Sequence, residues 1–267
     1  MKTIVGRKEE CIRRAADSIG ALLADKPDAV LAFSTGRTMS PLFKELAARC
    51  AAGELSLRQA RVFSVTELEK VDREQSCRYQ LETELLAGTD LTEENCCFLS
   101  EENLERYDEL IARAGGLDLA VLGLGDNAHV GYNEPAVPFD SYSHRQKLTD
   151  ATKRQNAWRF GGADKVPETA LTMGIKTLVS ARDIAVLAFG EEKAEAVHKM
   201  LYGRDDSAVP AAFLQIPLNV TVYVDEAAAA KLWVNLSIRR RRPAEYKKPK
   251  PGGNKNGQIF WNRRFSR

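Results

Sequence analysis

Five consecutive residues, Leu119–Gly123, are apolar or glycine, and the turn-forming run Gly125-Asp126-Asn127-Ala128-His129 follows almost at once. A strand with one wet face alternates apolar and polar residues. An unalternating run suits a strand buried on both faces. Ala29–Phe33 and Asp183–Phe189 read as strands of the same kind, Arg61–Val65, Cys96–Leu99, Lys147–Thr149 and Thr169–Met173 as further short ones, and Val220–Val224 as a last strand. Helical patterns stand between them. Glu9–Ala24 carries Cys11, Ile12, Ala15, Ala16, Ile19, Leu22 and Leu23 at helical spacing, and Pro41–Ala51, Ser76–Leu86, Glu101–Ala114, Ile175–Val179 and a stretch ending at Leu201 follow suit. Pro210–Leu214 reads as a short helix. Alternating strands and helices predict a Rossmann-like α/β fold, a mainly parallel sheet with helices on both faces.

In open sheets of this kind ligands bind just beyond the carboxyl ends of the strands. His129 stands there, with Asn133, Glu134 and Pro135 shortly after it. An amide, an imidazole and a carboxylate close together are the makings of a proton-transfer site. The same spacing also suits an ordinary polar loop with an incidental histidine. A second loop, Ser34-Thr35-Gly36-Arg37-Thr38, joins a strand to a helix. Hydroxyls and backbone N–H groups at a helix start make an anion site, although many such loops are rich in serine and glycine.

Composition bounds the remaining possibilities. At 267 residues and 44% hydrophobic, the chain can bury a large core. No apolar run approaches a membrane span, and the charged start Met1–Glu10 lacks a signal-peptide core, so a soluble cytoplasmic protein is expected. Cys11, Cys50, Cys77, Cys96 and Cys97 are odd in number and scattered, without C-x-x-C pairs or zinc spacing; reduced thiols and no metal are expected. Arg239–Arg267 carries eleven Lys/Arg against one Asp/Glu, a balance of +10, which leaves −8 on residues 1–238. Residues 1–236 are therefore expected to form one acidic domain, and 237–267 a basic, disordered tail. Its few aromatics among arginines would suit a nucleic-acid anchor, but a solvated extension is the simpler reading.

The run Gly123–Pro135, GLGDNAHVGYNEP, resembles the signature of the glucosamine-6-phosphate deaminase family of sugar-phosphate isomerase/deaminases. A related branch, the 6-phosphogluconolactonases, has a similar glycine-rich turn and histidine but not the Asn-Glu-Pro. The resemblance covers roughly Ala15 to Leu232 and includes Thr35-Gly36-Arg37-Thr38, where the family has Thr-Gly-x-Thr. It implies that His129 shuttles a proton between ring oxygen and C1 hydroxyl, oriented by Asn127 and Glu134. It implies a phosphate clamp of Thr35, Gly36, Thr38, Arg159 and Lys193, with Arg37 as an added contact where relatives have a small residue. His144 and His198 have no such setting. The implied activity converts an amino-sugar 6-phosphate to a ketose 6-phosphate and ammonia, without metal or organic cofactor. Neither the glucosamine/galactosamine choice nor self-association follows from the sequence, and a homo-oligomer is compatible with it.

One departure stands out. Thr66-Glu67-Leu68 replaces the family's Asp-Glu-Tyr or Asp-Glu-Trp, whose aspartate takes the C2 proton. A threonine hydroxyl cannot accept a carbon-bound proton at neutral pH. Either Glu67 takes over, or Glu69 or Asp72 reaches in, or the C2 step is weakened or lost. The alternatives to a deaminase are then a non-catalytic sugar-phosphate-binding protein or a lactonase-like hydrolase.

Overall fold

A computed structural model describes residues 1–203, 207–232 and 258–259. The chain runs β1 (Lys2–Gly6), α1 (Lys8–Asp25), β2 (Val30–Phe33), α2 (Ser40–Ala51), β3 (Arg61–Ser64), β4 (Thr66–Leu68), α3 (Cys77–Gln80) and β5 (Cys96–Cys97). It continues with α4 (Tyr107–Arg113), β6 (Leu119–Gly123), β7 (His144–Lys147), α5 (Asp150–Phe160), β8 (Thr169–Thr172) and α6 (Ile175–Val179). Last come β9 (Asp183–Ala188), α7 (Ala194–Tyr202), β10 (Val220–Asp225) and β11 (Gln258–Ile259). The main sheet has the order β11-β1-β10-β9-β6-β2-β3-β5, parallel throughout except for the antiparallel pair β11·β1. The expected α/β fold, mainly parallel with helices on both faces, is borne out. Apart from the β11 pair, the expectation for residues 237–267 lies outside the described residues.

The apolar strands divide the core by their pleat. On β2, Val30 and Ala32 join one cluster with Ile111, Ile175, Leu178 and Val197 of α4, α6 and α7. Leu31 and Phe33 join the other, with Ile12, Ile19, Leu42 and Leu46 of α1 and α2. Successive side chains point to opposite faces, so a strand between two helical layers needs apolar residues at every position. All four β2 residues are fully buried.

The winding places the site. From β2 the chain passes outward through β3 to β5, then returns to lay β6 on the other side of β2. The helix after β2 packs on one face, whereas α6, which follows the loops after β6, packs on the other. Two adjacent parallel strands whose continuations part in this way leave a crevice at their carboxyl ends. A small antiparallel sheet, β4-β8-β7, completes the fold, with Met173 N–H bonded to Val65 O where it joins the main sheet.

The observed strand β7 starts and ends earlier than the expected Lys147–Thr149. Its sequence, His-Arg-Gln-Lys, has no apolar alternation, and it is held by pairing with β8. The expected helix Ser76–Leu86 is instead one short α-turn running into a π-helical segment, Leu81–Leu86.

Phe33 ends β2 fully buried in the cluster on the α1 and α2 face and meets Phe43 edge-on at 5.8 Å between centroids. Phe33→Ala is expected to lower unfolding free energy by about 3–5 kcal/mol. Urea unfolding followed by circular dichroism measures this, and a loss below about 1 kcal/mol would contradict the assigned core.

Candidate active site

The turn after β6 depends on its glycine. A Cβ on Gly125 would lie 2.3 Å from Cε1 and Nδ1 of His129, so only hydrogen leaves room for the ring. Ala128, just before the histidine, has φ of +65°, a conformation that side chains adopt at a cost of order 1–3 kcal/mol. These two features fold the loop tightly enough to bury His129 against the strand end; its relative exposure is 5%.

His129 Nδ1 lies 2.6 Å from Asn127 Oδ1 and 3.1 Å from Thr152 Oγ1. Asn127 Nδ2 donates to Glu134 Oε2 at 2.8 Å. Glu134 also accepts from Thr149 N–H at 3.0 Å and from the Thr149 hydroxyl at 3.1 Å. These contacts fix the protonation pattern. An ionised carboxylate only accepts, so the Asn127 amide turns its NH2 toward Glu134 and its oxygen toward the ring. The ring must then carry its proton on Nδ1, which leaves Nε2 an unprotonated acceptor. Burial lowers the His129 pKa and Lys193 adds to this, against the opposing fields of Glu134 and Asp126. The imidazole is neutral at neutral pH.

Helix α5 ties this relay to the rest of the site. Thr149 caps it, its hydroxyl accepting from Thr152 N–H while bonded to Glu134. Thr152 touches His129, Gln155 accepts from Asp126 N–H, and Arg159 stands in the last turn. Residues seven apart lie on one stripe, so Thr152 and Arg159 are separated by about 10.5 Å along the axis. That is comparable to the length of an open six-carbon sugar phosphate.

At the far end Arg159 Nη2 and the Gly36 N–H both donate to Gln80 Oε1, each at 2.9 Å. Gly36 has φ of +104°, which its lack of a side chain permits. The hydroxyls of Thr35 and Thr66 lie against the Cys77 thiol, as does Arg159 Nη1 at 3.8 Å. Thr38 follows in the same loop, and exposed Arg37 stands over the Trp158 ring at 5.7 Å from its centroid, with Arg159 at 5.3 Å. Buried Lys193, in the turn after β9, pairs with Asp126 of the signature loop. Among the described residues no cluster of His, Cys, Asp and Glu is arranged to hold a metal ion.

Thr66 is buried, 5% exposed, on β4. Glu67 takes the other face of the strand and caps α3, accepting from the N–H groups of Leu68 and Cys77 at 2.7 Å and of Arg78 at 2.9 Å. Burial raises its pKa, but its lone pairs are occupied by these amides. Glu67, the expected stand-in for the base, thus spends its lone pairs on the start of α3. Burial also works to raise Glu69, yet Arg145 outweighs it and holds that carboxyl below the usual range through bonds of 2.8 and 2.9 Å. Asp72 is exposed. His144 is held on β7 by Tyr142 O and Gln146, and His198 packs on Tyr202 of α7.

Residues 7–223 match the family model described as glucosamine-6-phosphate isomerases/6-phosphogluconolactonase. The chain belongs to this family. A glucosamine-6-phosphate deaminase of Bacillus velezensis is 38% identical over 230 residues, covering 83% of this chain and 95% of the relative. One from Mycolicibacterium smegmatis is 37% identical over 227 residues, covering 82% and 87%. A solved monomeric glucosamine-6-phosphate deaminase superposes with a TM-score of 0.83 at 31% identity, covering 86% of this chain and all of that one. The 6-phosphogluconolactonase of Thermotoga maritima, at 18% identity and a TM-score of 0.66 over 84% of this chain and 99% of that one, shares the fold. Sequence reasoning missed Gln80, Thr149 and Thr152. Thr149 had a signal, a threonine before a helical stretch; Gln80 had none.

A histidine with a lowered folded pKa binds its proton more readily when unfolded. Stability is therefore highest above the unfolded value of 6.5 and falls as pH drops from there through the folded value. Melting temperatures from pH 8 to 5 should show this slope in the wild type and a shallower one in His129→Gln. Equal slopes would mean that His129 takes its proton in place.

Proposed function

We propose that this protein is a cytoplasmic amino-sugar 6-phosphate isomerase/deaminase with a slow C2 proton-transfer step. The Glu134–Asn127–His129 relay carries the reading. It leaves Nε2 of a histidine just beyond the carboxyl end of β6 unprotonated, the end of the sheet where ligands of this fold lie. The relatives named glucosamine-6-phosphate deaminase, matched over most of the chain, supply the substrate class. Among the described residues no helix is long and apolar enough to cross a membrane, in keeping with that location.

In this reading the sugar lies along α5. Its phosphate is held by Thr35, Gly36, Thr38 and Arg159, with Arg37 at the rim and Lys193 freed from Asp126 as a point charge. Binding energy at that end fixes C1 and the ring oxygen against His129. Nε2 takes the proton of the C1 hydroxyl and delivers it to the ring oxygen, opening the ring. Asn127 and Glu134 keep the tautomer through both transfers. The open aldose then needs a base at C2, the role that the resemblance gives to the aspartate Thr66 replaces. A positioned base contributes about 10²–10⁴-fold, and its absence sets the scale of the deficit. Lactone hydrolysis draws support only from fold likeness at 18% identity.

Thr66→Asp is expected to raise ammonia release from glucosamine or galactosamine 6-phosphate by about 10²–10⁴-fold, with KM little changed. A coupled ammonia assay decides. A wild type turning over at tens per second and unmoved by Thr66→Asp would contradict the missing base. Binding of the sugar phosphate without turnover in either protein would mark a sugar-phosphate-binding protein instead.

A further inference from the structure

Gln80 has no part in the chemistry above and belongs to no motif. Its side chain, 7% exposed, joins segments far apart in sequence. Oε1 accepts from Gly36 N–H and from Arg159 Nη2, each at 2.9 Å. Nε2 lies 3.2 Å from Gly36 O, 3.1 Å from Ser40 Oγ and 3.3 Å from Glu84 Oε2. The carboxamide thus pairs with both the N–H and the C=O of Gly36, and so locks a residue in the left-handed region. Arg159 is held on its other side through Nη1, by Gln75 O at 3.2 Å and Cys77 Sγ at 3.8 Å.

The acceptors that bond this guanidinium are neutral. A carboxylate in their place would orient the arginine and cancel its charge. An amide, a carbonyl and a thiol orient it without a direct ion pair, although the field of Glu67 reaches it. Gly36 N–H and Arg159 Nη2 converge on a single oxygen and spend those two hydrogens on it, which leaves the other N–H groups of Arg159 for a phosphate. That oxygen belongs to Gln80 and sets the distance between loop and arginine.

We infer that Gln80 is a positioning residue for the phosphate site, holding the Thr35–Thr38 loop and Arg159 at the spacing a phosphate monoester requires. The inference rests on reading that loop and Arg159 as the phosphate clamp. It predicts that Gln80 acts through Arg159, so that removing either residue makes the other matter less.

The test uses the full chain and inorganic phosphate, titrated by calorimetry. Gln80→Leu should weaken phosphate binding about tenfold or more, on the scale of one hydrogen bond to a charged group. Gln80→Asn keeps the amide but draws it back by one methylene, and should show a similar loss while folding more readily. In an Arg159→Ala background the same change at Gln80 should cost about twofold or less, because the group it positions is gone. With glucosamine 6-phosphate, KM should rise by a like factor with kcat within about twofold, a split that general loss of structure does not give. Unchanged phosphate affinity in Gln80→Asn, or equal losses with and without Arg159, would overturn the positioning role. Wild-type protein that binds no phosphate would overturn the clamp itself. Phosphate binding that follows the predicted cycle without ammonia release would leave Gln80 assigned and count against the deaminase reading alone.

Discussion

The bond between Glu134 and the Asn127 amide is the interaction on which the site depends. An amide can face a histidine with its oxygen or its nitrogen, and the two choices give opposite tautomers. A buried carboxylate, 1% exposed and bonded also to the N–H and hydroxyl of Thr149, leaves one choice. The imidazole then carries its proton toward the protein and its lone pair away from Asn127. Burial keeps the ring neutral, so the lone pair is present at neutral pH. Tautomer, orientation and ionisation thus follow from one hydrogen bond and from the exclusion of water.

The fold makes that arrangement affordable. β2 and β6 are adjacent and parallel, and their continuations part to opposite faces of the sheet. The loops that leave them, Ser34–Met39 and Leu124–His129, start side by side at the carboxyl ends of paired strands. A left-handed alanine and a glycine pressed against an imidazole are strained or crowded on their own. They persist because strand, helix α5 and the small sheet fix the loop from several sides. Helix α5 then runs from Thr152 beside His129 to Arg159, so the distance between these two ends is set by one rigid element.

Much of this was legible in the sequence, for physical reasons. β2 and β6, and β9 after its first residue, announce themselves because burial on both faces demands unbroken apolar runs. Asn127, His129 and Glu134 lie within eight residues, so local spacing shows them together. β7 and α5 were harder. The first is polar at every position, and the second buries only Thr152 and Phe160, so neither has a periodic apolar stripe. Gln80 and Thr152 reach the site from distant segments, and no local pattern can show that. The replacement of an aspartate by Thr66 was visible from the resemblance, whereas the fate of Glu67 was only half visible. The pleat turns it away from the face Thr66 occupies, but its capture by three amide groups depends on how α3 docks.

The most direct test of the account is the protonation of His129 at neutral pH. Long-range proton–nitrogen correlation spectra of protein labelled in its histidines, assigned by comparison with His129→Gln, report it. The account predicts a neutral ring with its proton on Nδ1 and an unprotonated Nε2. A proton on Nε2, or a doubly protonated imidazolium at pH 7.5, would contradict it.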